Sequence, residues 1–250
     1  MPEYGPETYG DRWAGVYDQW VTRQTHVSDA EAIADRLAEL AGEGPALELA
    51  IGTGRVALPL AARGVGVHGI DASEAMVARM RAKPGGDAIP VTMGDFAAVE
   101  VEGRYPLVYV VFNTFFALFT QDDQVRCFRN VAAHLSSRGV FVLEAFVPDL
   151  TYYDRGQSVR ATEVAPDLVS VTAALHDPVE QRVRAMILEF EEEGTRLLPV
   201  QLRYAWPSEI DLMARLAGLR LRERWGGWDG TPFTSESGKH VSVYERDAAP

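Results

Sequence analysis

Three carboxylates sit at the edges of strand-like segments in the first hundred residues. Glu48 lies in the apolar run Ala46–Ile51, Asp71 follows Val65–Ile70, and Asp95 follows Ile89–Met93. An ionised carboxylate offers two acceptor oxygens, so one at a strand end can take both hydroxyls of a ribose or the amino group of a base. Gly52-Thr53-Gly54-Arg55 follows the first of these strands, and glycines there allow a backbone to approach a ligand closely. Asp71 comes 19 residues after Gly52. Taken singly, each piece has a plain alternative: a tight turn, a solvated strand-end Asp71, a turn Asp95. Further along, Asn113, Glu144, Tyr204 and His240 are the candidate polar groups for chemistry on a bound small molecule. His26, His68, His134 and His176 read as surface residues without a partner pattern, and no Cys/His cluster points to a metal.

The elements that hold these groups alternate. Ser28, with Glu31 three residues on, opens a helix whose Ile33, Leu37 and Leu40 share a face. A strand over 46–51 leads to a helix from about Val56, with Pro59 in its first turn. A strand over 65–70 leads to a helix capped by Ser73. Strands at 89–93 and 107–112, a helix from Thr120 to Leu135, a turn at Ser136–Gly139 and a strand at 140–146 complete the rhythm. Such alternation predicts an α/β fold, a doubly wound and mainly parallel sheet. Beyond Val147 the pattern becomes an antiparallel β meander of three strands, 168–175, 183–191 and 197–206. The last of these puts Leu198, Val200, Leu202, Tyr204 and Trp206 on one face, while Glu189–Glu193 reads as a solvated strand end. A helix from Pro207 and strands near 219–225 and 240–245 finish the chain. The division is 1–45 as an N-terminal lid and first helix, 46–147 as the core, 148–206 as an inserted cap, and 207–250 completing a seven-stranded sheet.

The 250 residues carry 24 Lys+Arg against 36 Asp+Glu, a net charge of −12. That balance argues against nucleic-acid backbone binding, which needs a basic surface. Cys127, the single cysteine, cannot form an intrachain disulfide, and a reducing, cytoplasmic setting follows as the expectation. The run Leu107–Phe119 is too short to span a bilayer, so no membrane partner is expected.

Jointly, Glu48-Leu-Ala-Ile-Gly-Thr-Gly54, Gly69-Ile-Asp71 and Gly94-Asp-Phe96 resemble the class I S-adenosylmethionine-dependent methyltransferases over about residues 46–146. The step Ser137–Glu144 resembles the family's turn into strand five. The resemblance implies that Glu48, the Ala50–Gly54 backbone and Arg55 hold the methionine part of S-adenosylmethionine, with product S-adenosylhomocysteine leaving the same site. It further implies Asp71 on the ribose, Met76 against the adenine, Asp95 on the adenine amino group, the Phe96 backbone on a ring nitrogen and the Phe112 carbonyl on the cofactor amine. Tyr17 and Ala72 complete that set. The family's first loop glycine is Ala50 here, which predicts a negative φ at that residue. Tyr9, Trp13 and Tyr17 are expected to act as a lid, and Tyr9, Trp13, Asn113, Phe116, Phe146, Tyr204 and Trp206 to wall a substrate pocket.

The inserted meander and Val16-Tyr17-Asp18-Gln19 are similar to the small-molecule methyltransferases of bacterial natural-product pathways, including amino-sugar N,N-dimethyltransferases. The histidine those enzymes carry after strand four is Ala117 here. A small metabolite, with an amine slightly preferred over a hydroxyl, is the expected acceptor, and an exposed meander edge could pair two copies into a homodimer. One alternative is a nicotinamide-dependent oxidoreductase, since Gly52-x-Gly54-x-x-Ala57 with Asp71 also fits a dinucleotide loop. Glu48 inside the first strand and the absence of a Tyr-x-x-x-Lys pair weigh against it, because Lys83 and Lys239 are the only lysines. The other is a catalytically silent S-adenosylmethionine-binding protein.

Overall fold

A strand covered on both sides has no polar face to give away, and Tyr105–Val110 (β4) shows this directly. Leu107 and Tyr109 pack to one side, Val108 and Val110 to the other, and none of the four is exposed. The computed structural model, which describes residues 4–24, 29–99 and 101–247, places β4 at the centre of a seven-stranded sheet. Its other strands are β1 (Ala46–Leu49), β2 (Val67–Asp71), β3 (Val91–Met93), β5 (Leu135–Phe146), β10 (Leu219–Trp225) and β11 (Lys239–Arg246), in the order β10-β11-β5-β4-β1-β2-β3. Pairing is parallel from β3 through β5, and β11 runs antiparallel to both its neighbours.

Helices cover both faces. α3 (Ala30–Ala41), α4 (Ala57–Ala62) and α5 (Glu74–Arg81) share a cluster with Leu107, Tyr109, Val142 and Val243. α6 (Gln121–His134) and α7 (Pro207–Leu216) lie on the opposite face, where Phe128 meets Phe141 and Tyr244 edge to face. The caps are side-chain oxygens on orphan N–H groups: Ser73 accepts from Met76, and Thr120 accepts from Asp123. α3 starts at Ala30 with Asp29 as its cap, and the expected start at Ser28 falls outside the described residues, as does His26.

Two expectations are corrected in this core. Strand five begins at Leu135, since Leu135 pairs with Tyr105 across an irregularity in the ladder, and Ser136–Gly139 is part of that strand. His134 and His68 are not surface residues. His134 is buried between Asn130 and Val101, and His68 lies between the Tyr105 hydroxyl at 3.0 Å and the Thr92 hydroxyl at 2.9 Å. Withdrawing these imidazoles from water leaves their ring nitrogens to be satisfied by such protein partners.

The insertion is a separate four-stranded antiparallel sheet, β6 (Gln157–Val164), β7 (Leu168–Asp177), β8 (Arg182–Glu191) and β9 (Gly194–Arg203), one strand more than the meander expected. Its inner face, with Ile187, Leu198 and Val200, packs on α1 (Thr8–Trp13) and α2 (Tyr17–Arg23). On its outer face Val159, Leu175 and Leu197 are more than half exposed. Glu189 is completely buried, held by Arg23 and by Arg196, so the solvated reading of Glu189 is wrong. A carboxylate withdrawn from water requires such paired cations. At the base of the sheet Arg203 reaches Gln124, Gln181 and Glu209, fastening the insertion to α6 and α7.

Candidate active site

Parallel strands deliver their carboxyl ends to one edge of a sheet, and a crevice opens there beside the point where strand order reverses. Asp71 ends β2 at that edge and is buried. One of its oxygens accepts the Gly52 N–H at 2.7 Å and the other accepts the Ser73 N–H at 2.8 Å. Burial raises the Asp71 carboxyl above its ordinary range, and these N–H donors oppose the shift. Glu48, in β1, is buried and accepts the Tyr109 hydroxyl at 2.9 Å. Its carboxyl is pushed up from 4.5 to about 8, chiefly by burial, with the Tyr109 bond and Arg55 pulling the other way. Asp95 follows β3, accepts the Ala97 N–H at 2.9 Å and lies 3.6 Å from the Arg126 guanidinium.

The loop after β1 differs from expectation at one residue. Ala50 has a φ of 56°, in the left-handed region, where a negative value was expected. Gly52 has a φ of 58° and Gly54 a φ of 75°, so this stretch turns three times through conformations that favour glycine. A Cβ in that region costs about 1–2 kcal/mol, and the surrounding bonds, Ile51 N–H to Ile70 O and Gly52 N–H to Asp71, hold the turn regardless. Ala50→Gly is therefore expected to raise stability by up to ~1 kcal/mol, after the greater unfolded-state entropy of glycine is subtracted. Denaturant midpoints measure this, and a lowered midpoint would contradict the strain.

A cavity of about 300 Å³ opens at this edge. The core contributes Ala50, Gly52, Asp71, Ala72, Met76, Asp95, Phe96 and the stretch Ala117–Phe119, and α6 adds Asp123, which sequence reasoning missed. Tyr4, Pro6, Tyr9, Gly10 and Tyr17 cover it from the N-terminal segment. Gly10 is what allows this cover to sit so low, because a Cβ there would fall 2.4 Å from the Ser73 Cβ. The Ser73 hydroxyl, besides capping α5, donates to Asp11 of α1 at 2.6 Å. Burial raises the phenol pKa values of Tyr9 and Tyr17, with Arg55 beside Tyr17 partly opposing. Arg55 also lies over the Phe112 ring, 5.2 Å from its centre.

Other sequence candidates are used elsewhere. β4 ends at Val110, and Phe112 and Asn113 follow with φ of 57° and 63°. The Phe112 N–H donates to a Glu144 carboxylate oxygen at 2.9 Å, and the Asn113 side-chain oxygen accepts the Phe146 N–H at 2.7 Å. Both polar groups thus clamp the ends of β4 and β5. Phe116 is buried against Phe115 and Phe146. Trp13 is fully buried under the lid, stacked on Tyr9. Tyr204 is buried at a hydrogen bond of 2.9 Å to His176, and with Phe146 it lines a different cavity of about 370 Å³. Trp206 does not continue the face of Tyr204: it precedes α7 and is partly exposed, because the chain leaves the sheet after Arg203. His240 is fully buried, bonded to the Ser242 hydroxyl at 2.8 Å, and lines none of these cavities. Its ring is held neutral by burial, with a pKa lowered to about 3.

A doubly wound sheet with an acid-lined, lid-covered cavity at its carboxyl edge has the architecture of an enzyme that binds a nucleoside-containing cofactor. Residues 46–139 match the family model described as a methyltransferase domain. The chain is similar to the CcbJ methyltransferase of Streptomyces caelestis, with 40% identity, a TM-score of 0.92, and coverage of 98% of this chain and 100% of that one. It is 27% identical over 202 residues to the cypemycin N-terminal methyltransferase of a Streptomyces species, covering 80% of this chain and 82% of that relative. An S-adenosylmethionine-dependent methyltransferase from Clostridium acetobutylicum shares the fold at 14% identity, with a TM-score of 0.79 over 95% of this chain and 99% of that one. The protein belongs to the S-adenosylmethionine-dependent methyltransferases, and the dinucleotide reading falls away. The lining of the cavity suits that cofactor: it brings together the Asp71 carboxylate, the left-handed backbone turn at Ala50 and Gly52, and Asp95 with Phe96.

Proposed function

We propose that the protein methylates a nitrogen on a small, amine-bearing metabolite. The carrying observation is the charge of the cavity wall: Asp71, Asp95 and Asp123 line it with no Lys or Arg among the described lining residues, and they outnumber the one cation, Arg126, that pairs with Asp95 and Asp123 from outside the lining. Such a wall favours cationic occupants and disfavours anionic ones. The name of the cypemycin relative, an N-terminal methyltransferase, supports nitrogen as the acceptor.

Bound S-adenosylmethionine supplies an electrophilic methyl group on a sulfonium. The residues of this chain have three tasks around it. In our reading Asp71 and Asp95 fix the nucleoside, with Met76 packed beside it, and Glu48 with the Ala50–Gly54 loop fixes the amino-acid end. Phe112, held by Glu144, turns its carbonyl towards that end. Tyr9 and Tyr17, kept as neutral phenols, orient the acceptor and exclude water. The amine gives its ammonium proton to solvent before its lone pair attacks, the S–CH3 bond breaks as the N–CH3 bond forms, and the rate comes from holding the two reactants in attack geometry. A panel of small primary and secondary amines, run beside matched alcohols and phenols, tests this by formation of S-adenosylhomocysteine. Turnover confined to amines is expected. Faster turnover on hydroxyl acceptors would overturn the nitrogen assignment, and tight binding with no turnover on either class would favour a silent binding protein.

A further inference from the structure

Lys83, one of two lysines in the chain, stands just beyond α5 and is not among the residues lining the cavity. Its ammonium nevertheless donates to the Thr53 carbonyl oxygen at 2.8 Å and lies 2.8 Å from one carboxylate oxygen of Asp18. The Thr53 hydroxyl donates to the other Asp18 oxygen at 2.6 Å. Three residues from three places therefore close a ring of contacts: Thr53 from the cofactor loop, Asp18 from lid helix α2, and Lys83 from the end of α5. Thr53 is buried, whereas Lys83 is 31% and Asp18 45% exposed.

We infer that Lys83 is a positioning residue that sets the cofactor loop and, through Asp18, fastens the lid over the bound cofactor. The inference rests on the methyltransferase reading of the cavity. Gly52 and Thr53 are neighbours: Asp71 holds the Gly52 N–H from one side and Lys83 holds the Thr53 carbonyl from the other, so the loop is braced between two charges. The lid covers the cavity with five residues, and a cofactor leaves only when they move aside. Moving them breaks the Asp18 contacts. The lid has other ties, and they sort by direction. Trp13 donates its indole N–H to the Pro199 carbonyl oxygen at 3.0 Å, and Arg23 pairs with Glu189, so both tie it to the inserted sheet. Asp11 on Ser73 and Asp18 on Thr53 and Lys83 tie it to the core, and of these two only the second contains an ion pair. An exposed ion pair is weakened by salt, and Lys83–Asp18 is more exposed than the lid's pairs from Arg23 to Glu163 and Glu189, so the release of cofactor acquires its salt dependence chiefly from this contact.

The test is the dissociation rate of S-adenosylhomocysteine, followed by tryptophan fluorescence after dilution at low and high sodium chloride. Wild type should release faster as salt rises. Asp18→Asn and Lys83→Met should each release roughly threefold to fivefold faster at low salt, the scale of a half-exposed ion pair, and lose most of the salt response. Lys83→Arg, which keeps the charge, should restore both slow release and salt response. The double variant should release no faster than Lys83→Met alone, because the ion pair is already lost there and an asparagine at 18 still accepts the Thr53 hydroxyl. Salt-independent release in wild type, or variants that keep the wild-type rate and response, would overturn the inference. Failure of wild type to bind S-adenosylhomocysteine in calorimetry would instead overturn the reading of the cavity. Melting temperatures taken alongside separate a loosened lid from a loosened fold: a general loss of structure would speed release without abolishing its salt response.

Discussion

Asp71→Ala is expected to weaken S-adenosylhomocysteine binding by ~1–3 kcal/mol, roughly a fivefold to 150-fold rise in Kd. The carboxylate has two jobs that fail together. As the proposed ribose acceptor it offers charge-assisted hydrogen bonds, the stronger kind. As a structural acceptor it satisfies Gly52 and Ser73, whose N–H groups then face a hole. Asp71→Asn separates these jobs, since the amide keeps one acceptor oxygen and its size but loses the charge. The asparagine variant should fall between wild type and alanine. Calorimetry measures all three, and an unchanged affinity in the alanine variant would remove the ribose assignment.

The second large effect is a pH dependence centred on Glu48. Its carboxyl titrates at about 8 in the fold against 4.5 ordinarily, so between those values the unfolded chain is ionised while the folded one holds a proton. The folded state binds more protons across that window, and stability falls as pH rises through it. The contribution is fully present below pH 4.5 and lost by about pH 8, a total on the order of 5 kcal/mol. Glu48→Gln mimics the protonated form and should flatten this part of the profile, which chemical denaturation at several pH values reads directly. The cofactor gives the same group a second signature. A cation placed near Glu48 favours the ionised carboxyl, so binding should expel a proton and affinity should increase from pH 6 to pH 8. The binding enthalpy would then differ between phosphate and Tris buffers in proportion to their ionisation heats, and the difference should vanish in Glu48→Gln. Buffer-independent enthalpy in wild type would rule the coupling out.

Much of the core was legible because its signals are local. β1, β2 and β4 are apolar runs closed by Gly, Asp or Phe, and Ser73 and Thr120 cap the helices that their chemistry predicts. The missed features depend on contacts between distant parts of the chain. β6 reads as a polar alternation because it is an edge strand with Val159 and Val164 largely exposed, so no buried face marks it. Glu189 looks solvated in a row of acids, yet its partner Arg23 is 166 residues away. Asn113 and Glu144 have the chemistry of catalytic groups, and only the side-by-side arrangement of β4 and β5 reveals them as clamps. Ala50 shows the limit of local propensity: alanine avoids the left-handed region in isolation, and a loop bonded to Ile70 and Asp71 imposes it.

The bond from Trp13 to Pro199 spans 186 residues and, with Arg23 on Glu189, makes α1, α2 and the inserted sheet a single body in three dimensions. Divergence among related enzymes must respect that body. An inserted sheet transplanted from a relative without its first two dozen residues would bring an inner face shaped for another tryptophan and would leave Arg23 without its carboxylate. The natural unit of exchange is discontinuous, the chain's beginning together with residues 157–203, and recombination seams belong on either side of it.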